Sequence, residues 1–338
     1  ITMANLFLRS PRTFEGIGTS GWNSAKLTLV VNSVTVYTLI KNRLTSAAVN
    51  FEISELARDY LDLTYTGSVN ASSQSVEISV SVSIYEGLDG SGTLQSVTNN
   101  SFLGIDAYGY FEEGANPTTT KGYMQSNIVI YNLKDKALRI PVDVNNSTQW
   151  NAYENGVQFE GAAITSDASQ TFNYLTVSSN ADELRITTTN GLQTIKIIKI
   201  EECRFKPHKI SFVNRWGAIQ DLYFFKKSID KISISKDSFK NSTVTTGGAY
   251  STYKHPNKDF NVQSIKSITL NSGFVSEDYN APMQELMQSE QVWMEVDNVT
   301  TPMNVTDSTL TFKTSANNKL VDYKVELKYA FDAINNMR

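Results

Sequence analysis

Few residues in this chain are equipped for chemistry. Only His208 and His255 supply imidazole, and Cys203 is the single thiol. The two histidines lie in Lys206-Pro-His-Lys and Lys254-His-Pro, cationic settings that disfavour a bound metal ion. Neither has the cluster of carboxylates or thiolates that would complete a ligand set. Glu201 and Glu202 precede Cys203, and two acids beside a thiol work against its reactive thiolate form, so a buried, inert cysteine in a strand is expected. Glu112 and Glu113 stand among Tyr108, Tyr110 and Phe111. Paired carboxylates beside stacking rings are the apparatus of glycoside hydrolysis, although adjacent acids in a loop are commonly just solvated. The chain has no phosphate-cradling Gly-rich loop, no G-x-S-x-G elbow and no H-E-x-x-H pair. A protein without catalytic residues, cofactor or metal is expected.

The remaining candidates are two aromatic loops. One runs from Gly104 to Thr120 and carries Tyr108, Tyr110 and Phe111; the other runs from Thr246 to Phe260 and carries Tyr250 and Tyr253. Their rings fit a glycan or protein contact and equally a plug for a domain core.

The elements that position these loops are mostly strands. Lys26-Leu-Thr-Leu-Val-Val and Val34-Thr-Val-Tyr-Thr-Leu-Ile alternate with period two around Asn32-Ser33, which reads as a hairpin turn. In Gln74 to Glu86, Val76, Ile78, Val80, Val82 and Ile84 face one way and Glu77, Ser79, Ser81 and Ser83 the other, as in an antiparallel sheet with one wet face. Asn190-Gly191 joins two alternating runs and predicts a type I′ hairpin, which needs two positive φ angles. The segment 145–161 has no clean period. Leu310-Thr-Phe-Lys-Thr and Val321 to Phe331 alternate again and predict closing strands.

Two short helices interrupt this pattern. Ser54 is placed to cap one near 54–62, with Leu56, Ala57 and Tyr60 on its buried face. Ser276 and Pro282 frame a second near 278–289, with Met283, Leu286 and Met287 at helical spacing.

At roughly 150 residues per domain, 338 residues predict two or three domains. The division expected is 3–118, 119–205 and 206–338. The fold class expected is mainly β: tandem antiparallel β-sandwiches of fibronectin III or immunoglobulin type, then a C-terminal β-rich domain with one short helix.

Charged residues are only 19% of the chain, while Ser, Thr and Asn together make up almost a third. The wet faces of the strands account for this polar, uncharged excess. A net charge of −4 with no clustered Lys and Arg argues against nucleic acid and anionic membrane surfaces as partners. No apolar run approaches the roughly 18 residues needed to span a bilayer, and the start lacks a basic segment followed by an apolar one. Neither membrane insertion nor secretion is therefore expected.

Two stretches carry a resemblance. The first is Asn5-Leu-Phe-Leu-Arg-Ser-Pro with the following hairpin and Phe51-Glu-Ile-Ser-Glu-Leu-Ala-Arg-Asp-Tyr-Leu. The second is Phe212-Val-Asn-Arg-Trp-Gly-Ala-Ile-Gln-Asp-Leu-Tyr-Phe-Phe with the closing strands from Asn304. Together they resemble virion structural proteins of tailed bacteriophages of marine and Bacteroidetes-type hosts, in the tail or baseplate. The resemblance implies a non-enzymatic subunit made in the bacterial host cytoplasm. It would be built into the virion tail with other virion proteins and copies of itself in a symmetric ring. A carbohydrate-binding adhesin that uses Tyr108, Tyr110, Phe111, Tyr250 and Tyr253 on a host surface glycan is the alternative. A wall or capsule hydrolase resting on Glu112 and Glu113 is the second alternative.

Overall fold

The computed structural model describes residues 3–45, 48–69, 74–167, 170–244, 247–249, 252–297, 299–307, 309–312 and 320–334. The protein is mainly β, and its sheets fall into three groups along the chain.

The N-terminal group contains β1 (Ala4–Phe7), β2 (Thr13–Gly16), β3 (Ser24–Val31), β4 (Val34–Asn42), β5 (Val49–Glu52), β6 (Ser75–Tyr85) and β7 (Leu94–Ile105), with α1 (Ser54–Arg58) after β5. A five-stranded sheet in the order β1-β7-β6-β3-β4 packs on the two-stranded β2-β5 sheet. Period-two alternation sends Leu27, Leu29, Val76, Ile78, Val80 and Val82 into this core, where they meet Phe14, Phe51, Ile53 and Ala57. Asn32 and Ser33 both adopt positive φ (48° and 66°), the twist-matched turn that a two-residue hairpin favours. Helix α1 ends at Arg58 and is shorter than expected. Ser54 does not cap it: its hydroxyl donates to the Ser10 carbonyl at 2.7 Å, and the Glu52 carboxylate accepts from the Ser54 amide at 2.7 Å. The chain enters the helix straight from β5 with Ile53 buried, so Ser54 is already its first helical residue.

The middle group contains β8 (Val129–Leu133), β9 (Leu138–Asp143), β10 (Ser147–Glu154), β11 (Val157–Ala163), β12 (Phe172–Val177), β13 (Glu183–Thr188) and β14 (Gly191–Ile200). The sheet β11-β10-β13-β14-β8 faces the pair β12-β9, closing a core of Trp150, Leu184, Ile186, Ile195 and Ile197 against Ile140, Val142, Leu175 and Val177. The segment without a period is the β10–β11 hairpin, and its turn residues Asn155 and Gly156 take φ of 51° and 79°. Asn190-Gly191 also closes a hairpin, but only Gly191 is left-handed (φ 110°) and Thr188 pairs with Gly191. In this group a turn with two positive φ angles stands instead at 155–156. Two strand pairs, β1–β7 and β8–β14, are parallel, which antiparallel sandwiches alone did not anticipate.

The C-terminal group is one sheet of seven strands: β15 (His208–Val213), β16 (Ile219–Phe224), β17 (Ile229–Lys240), β18 (Asn257–Ser276), β19 (Val292–Val296), β20 (Val299–Val305) and β21 (Leu320–Tyr329). Their order is β16-β15-β19-β20-β21-β18-β17. The helix α2 (Asn280–Gln288) lies on one face, with Met283 and Leu286 buried against Phe212, Leu270 and Val325. It starts two residues later than expected because a 3-10 turn (Glu277–Tyr279) precedes it. Ser276 makes no side-chain cap to that turn. Leu310–Phe312 form no strand; β20 and β21 supply the closing pair instead.

Burial changes steadily across this sheet. At β15 both faces are covered: Ile210 and Phe212 join the core under α2, while Val213 packs with Leu63 and Tyr65 of the N-terminal group. At the other end all twelve residues of β17 are exposed.

Candidate functional site: interdomain joints and an uncovered arm

The loop after β7 is an internal joint. The Tyr108 hydroxyl donates to Gln288 Oε1 at 2.8 Å, at the end of α2, and the Arg9 guanidinium lies 4.8 Å from the Tyr108 ring centroid. Tyr110 packs edge-on against Tyr108, with centroids 5.9 Å apart, and under Arg215 at 4.4 Å. Burial pushes the Tyr108 phenol above its ordinary pKa. Arg215 pairs with Glu113 (2.5 Å), whose other oxygen accepts from the Tyr110 amide. Glu113 is thus both an ion-pair partner and the cap of its own 3-10 turn (Phe111–Glu113). Glu112 stays exposed, and Phe111 is 98% exposed. Tyr253 is exposed in the connection between β17 and β18, and Tyr250 lies outside the described residues.

Three further joints use residues that the sequence did not single out. Arg139 on β9 reaches Asp221 on β16 at 2.5 Å and the Tyr65 hydroxyl at 3.2 Å, so one guanidinium joins all three groups. Tyr174 on β12 bridges them again, donating to Gln74 Oε1 and accepting from the Ile219 amide at 2.9 Å. Fully buried Asp143 accepts from Asn5 Nδ2 at 3.0 Å, and Thr171 donates to Asn5 Oδ1 at 2.8 Å. Burial raises the Asp143 pKa against the lowering effect of its hydrogen bonds.

Helix α2 is fastened in the same manner. Its Glu285 is buried and accepts from the Ser126 hydroxyl, and burial raises its pKa even with Arg215 and Lys121 nearby. Just before α2, the Asp278 carboxylate accepts from the amides of Ile128 and Val129 at 2.7 and 2.8 Å. Beyond its end, Glu290 pairs with Arg58 (2.6 Å) and Arg9 (3.3 Å).

The other candidates are separate from these joints and from one another. His208 opens β15, and burial together with Lys206 lowers its pKa; His255 is exposed. Cys203 is exposed beyond the end of β14, not buried in a strand, because the chain turns outward there toward Pro207. Among the described residues no three His, Cys, Asp or Glu side chains gather as a metal site, and no helix is long and apolar enough to cross a membrane. A groove of about 420 Å³ is lined in part by Lys136, Lys206, Lys209, Tyr223, Glu295 and Asp297. Four of its charges are engaged in the pairs Lys206–Asp297 (2.8 Å) and Lys209–Glu295 (2.5 Å), while Lys136 enters no ion pair among the described residues.

The arm formed by β17 and the first part of β18 is uncovered. Ile232 and Ile234 are 55% and 61% exposed, and Phe239 packs edge-on against Phe260 at 5.7 Å with both rings open to solvent. Asp230 pairs with the buried core residue Ile268, so Ile232 and Ile234, at the same parity, prolong the core face of the sheet beyond its core. The β17–β18 register shifts between Ser235 and Asp237, where Asn261 and Val262 of β18 oppose the single residue Lys236, so the bulge lies on β18, with Asn261 at φ 51°. No family model matches the chain, and no curated protein matches it.

Proposed function

We propose that the chain is a structural component of a bacteriophage virion, a tail or baseplate subunit. It acts through contacts with other virion proteins and with copies of itself in a symmetric ring. The observation that supports this reading is the contrast between body and arm. In the body, the acids, guanidiniums and phenols most able to do chemistry are engaged in joints between strand groups. In the arm, a strand with apolar side chains on it is left bare along its whole length, the pattern expected of a surface that another protein covers. The tail assignment rests on the sequence resemblance at the two ends of the chain. Mass spectrometry and cryo-electron microscopy of purified particles from the encoding phage test it: the chain is expected in stoichiometric amount in the tail, and its absence from particles overturns the assignment.

One observation favours the adhesin reading. Phe111 projects almost fully into solvent from a turn whose other rings are fastened down, a geometry suited to stacking on a sugar face. Glycan binding lost in Phe111→Ala supports it, and no binding to any host surface glycan removes it.

A further inference from the structure

We propose that the β17–β18 arm of one copy seats on the acidic face around α1 of the next copy, making a head-to-tail contact. The inference deepens the assembly reading by naming the partner and both surfaces.

Charge complementarity selects the occupant. Residues 229–266 hold six lysines against three aspartates, a net of +3 in a chain whose formal net is −4. Lys231 and Lys236 are paired within the molecule, to Glu326 and Asp259. Lys240, Lys254, Lys258 and Lys266 take part in no ion pair among the described residues. Residues 3–118 carry eleven acids against six cations, a net of −5. Glu55, Asp59 and Asp62 on and just after α1 are exposed, and none of them enters an ion pair among the described residues. Tyr60, 42% exposed and edge-on to Tyr37 at 6.4 Å, sits among these acids as an apolar counterpart for Ile232 and Ile234. Basic arm and acidic face belong to different ends of one chain. Their pairing is therefore heterologous, the kind of contact that closes a ring or propagates a stack.

The contact is made by faces rather than by adding a strand to the edge. The outer strand β17 carries Lys231, Lys236 and Lys240 along its length, charged side chains that oppose edge pairing. What the arm offers is its prolonged apolar face and its lysine rim.

Sedimentation velocity of the full chain across a concentration and salt series reads the contact. Self-association is expected, and it weakens as salt rises because the lysine–carboxylate part is screened. An arm-reversed variant (Lys240→Glu, Lys254→Glu, Lys258→Glu) and a face-reversed variant (Glu55→Lys, Asp59→Lys, Asp62→Lys) each lose about tenfold or more in association. A chain carrying all six changes regains it. The altered side chains are exposed, and unchanged circular dichroism confirms that each variant is folded. A wild-type chain that stays monomeric, or a six-fold variant that fails to recover, overturns the proposal. Self-association with charge-swap rescue in a chain missing from virions sinks the virion reading alone. A monomeric chain that is present in virions sinks this contact alone.

Discussion

Arg139 lies between inward-facing Leu138 and Ile140 on β9, yet its guanidinium is largely withdrawn from water between Asp221, Tyr65 and Tyr174. Removing it leaves the Asp221 carboxylate, with only 9% of its side chain exposed, short of its cation. Arg139→Ala is expected to cost about 3 kcal/mol or more, read as a lowered denaturation midpoint. Tyr65→Phe, which loses one hydroxyl shared with Ser211 and Arg139, should cost about 1 kcal/mol. Glu285 gives a prediction with a definite sign. Its pKa is raised above 4.5 by burial, so the folded state holds the proton more tightly than the unfolded chain. That contribution is complete below pH 4.5 and is lost as pH rises through the folded value. Glu285→Gln should therefore gain stability relative to wild type as pH climbs from about 4.5 toward neutrality. Thermal melts of both proteins across that range check it, and parallel curves would count against it. None of these roles is legible in sequence. Arg139 and Asp221 are 82 residues apart, and Asn5 and Thr171 are 166 apart. No local period records such partners.

At the scale of elements, the C-terminal sheet behaves differently at its two ends. Phe212 on β15 is fully buried beneath α2, whereas Ile234 on β17 has no covering layer. Phe212→Ala is expected to cost about 3 to 5 kcal/mol. Ile234→Ser should change the stability of the monomer by about 0.5 kcal/mol or less, and chemical denaturation of both variants compares the two ends directly. The hairpins show how much local chemistry conveys. Asn32-Ser33 and the β6 alternation were readable because turn residues and period-two burial act within a few residues. Asn155-Gly156 was equally available as a signal, but the mixed polar and aromatic residues around it hid the alternation of β10 and β11. The end of α1 was not readable, since helix length there is decided by what Ala57 and Ile53 pack against. β17 shows the opposite case: its strand character is plain in Ile-Ser-Ile-Ser, while its exposure on both faces is not.

At the scale of the molecule, the C-terminal core is not self-sufficient. Tyr131 and Ile200 from the middle group enter it, and Tyr131 stacks on Phe225, meets Tyr279 edge-on and accepts from the Ser276 amide at 2.8 Å. A smaller cluster of Phe7, Ile105, Met124, Phe172 and Ala218 draws on all three groups. Cores shared in this way couple the unfolding of their owners. Calorimetry of the intact chain should show one cooperative transition. Tyr131→Ala should raise amide hydrogen exchange in 276–288, although the substituted residue belongs to the middle group. Exchange confined to the neighbourhood of β8 would contradict that coupling.

The sequence alone determined that the chain is mainly β, where most strands run and which side of each turns inward. These properties follow from side-chain period and turn chemistry over a few residues. It also limited the chemistry, because two histidines and one cysteine leave little to work with. Only the tertiary structure decided that Tyr108, Tyr110 and Glu113 join Arg9, Arg215 and Gln288, and that Arg139 and Tyr174 tie three strand groups together. It alone left the lysine-rich arm without a covering layer. Each of these depends on which distant surfaces meet, and that is set by the packing of whole sheets rather than by any local pattern.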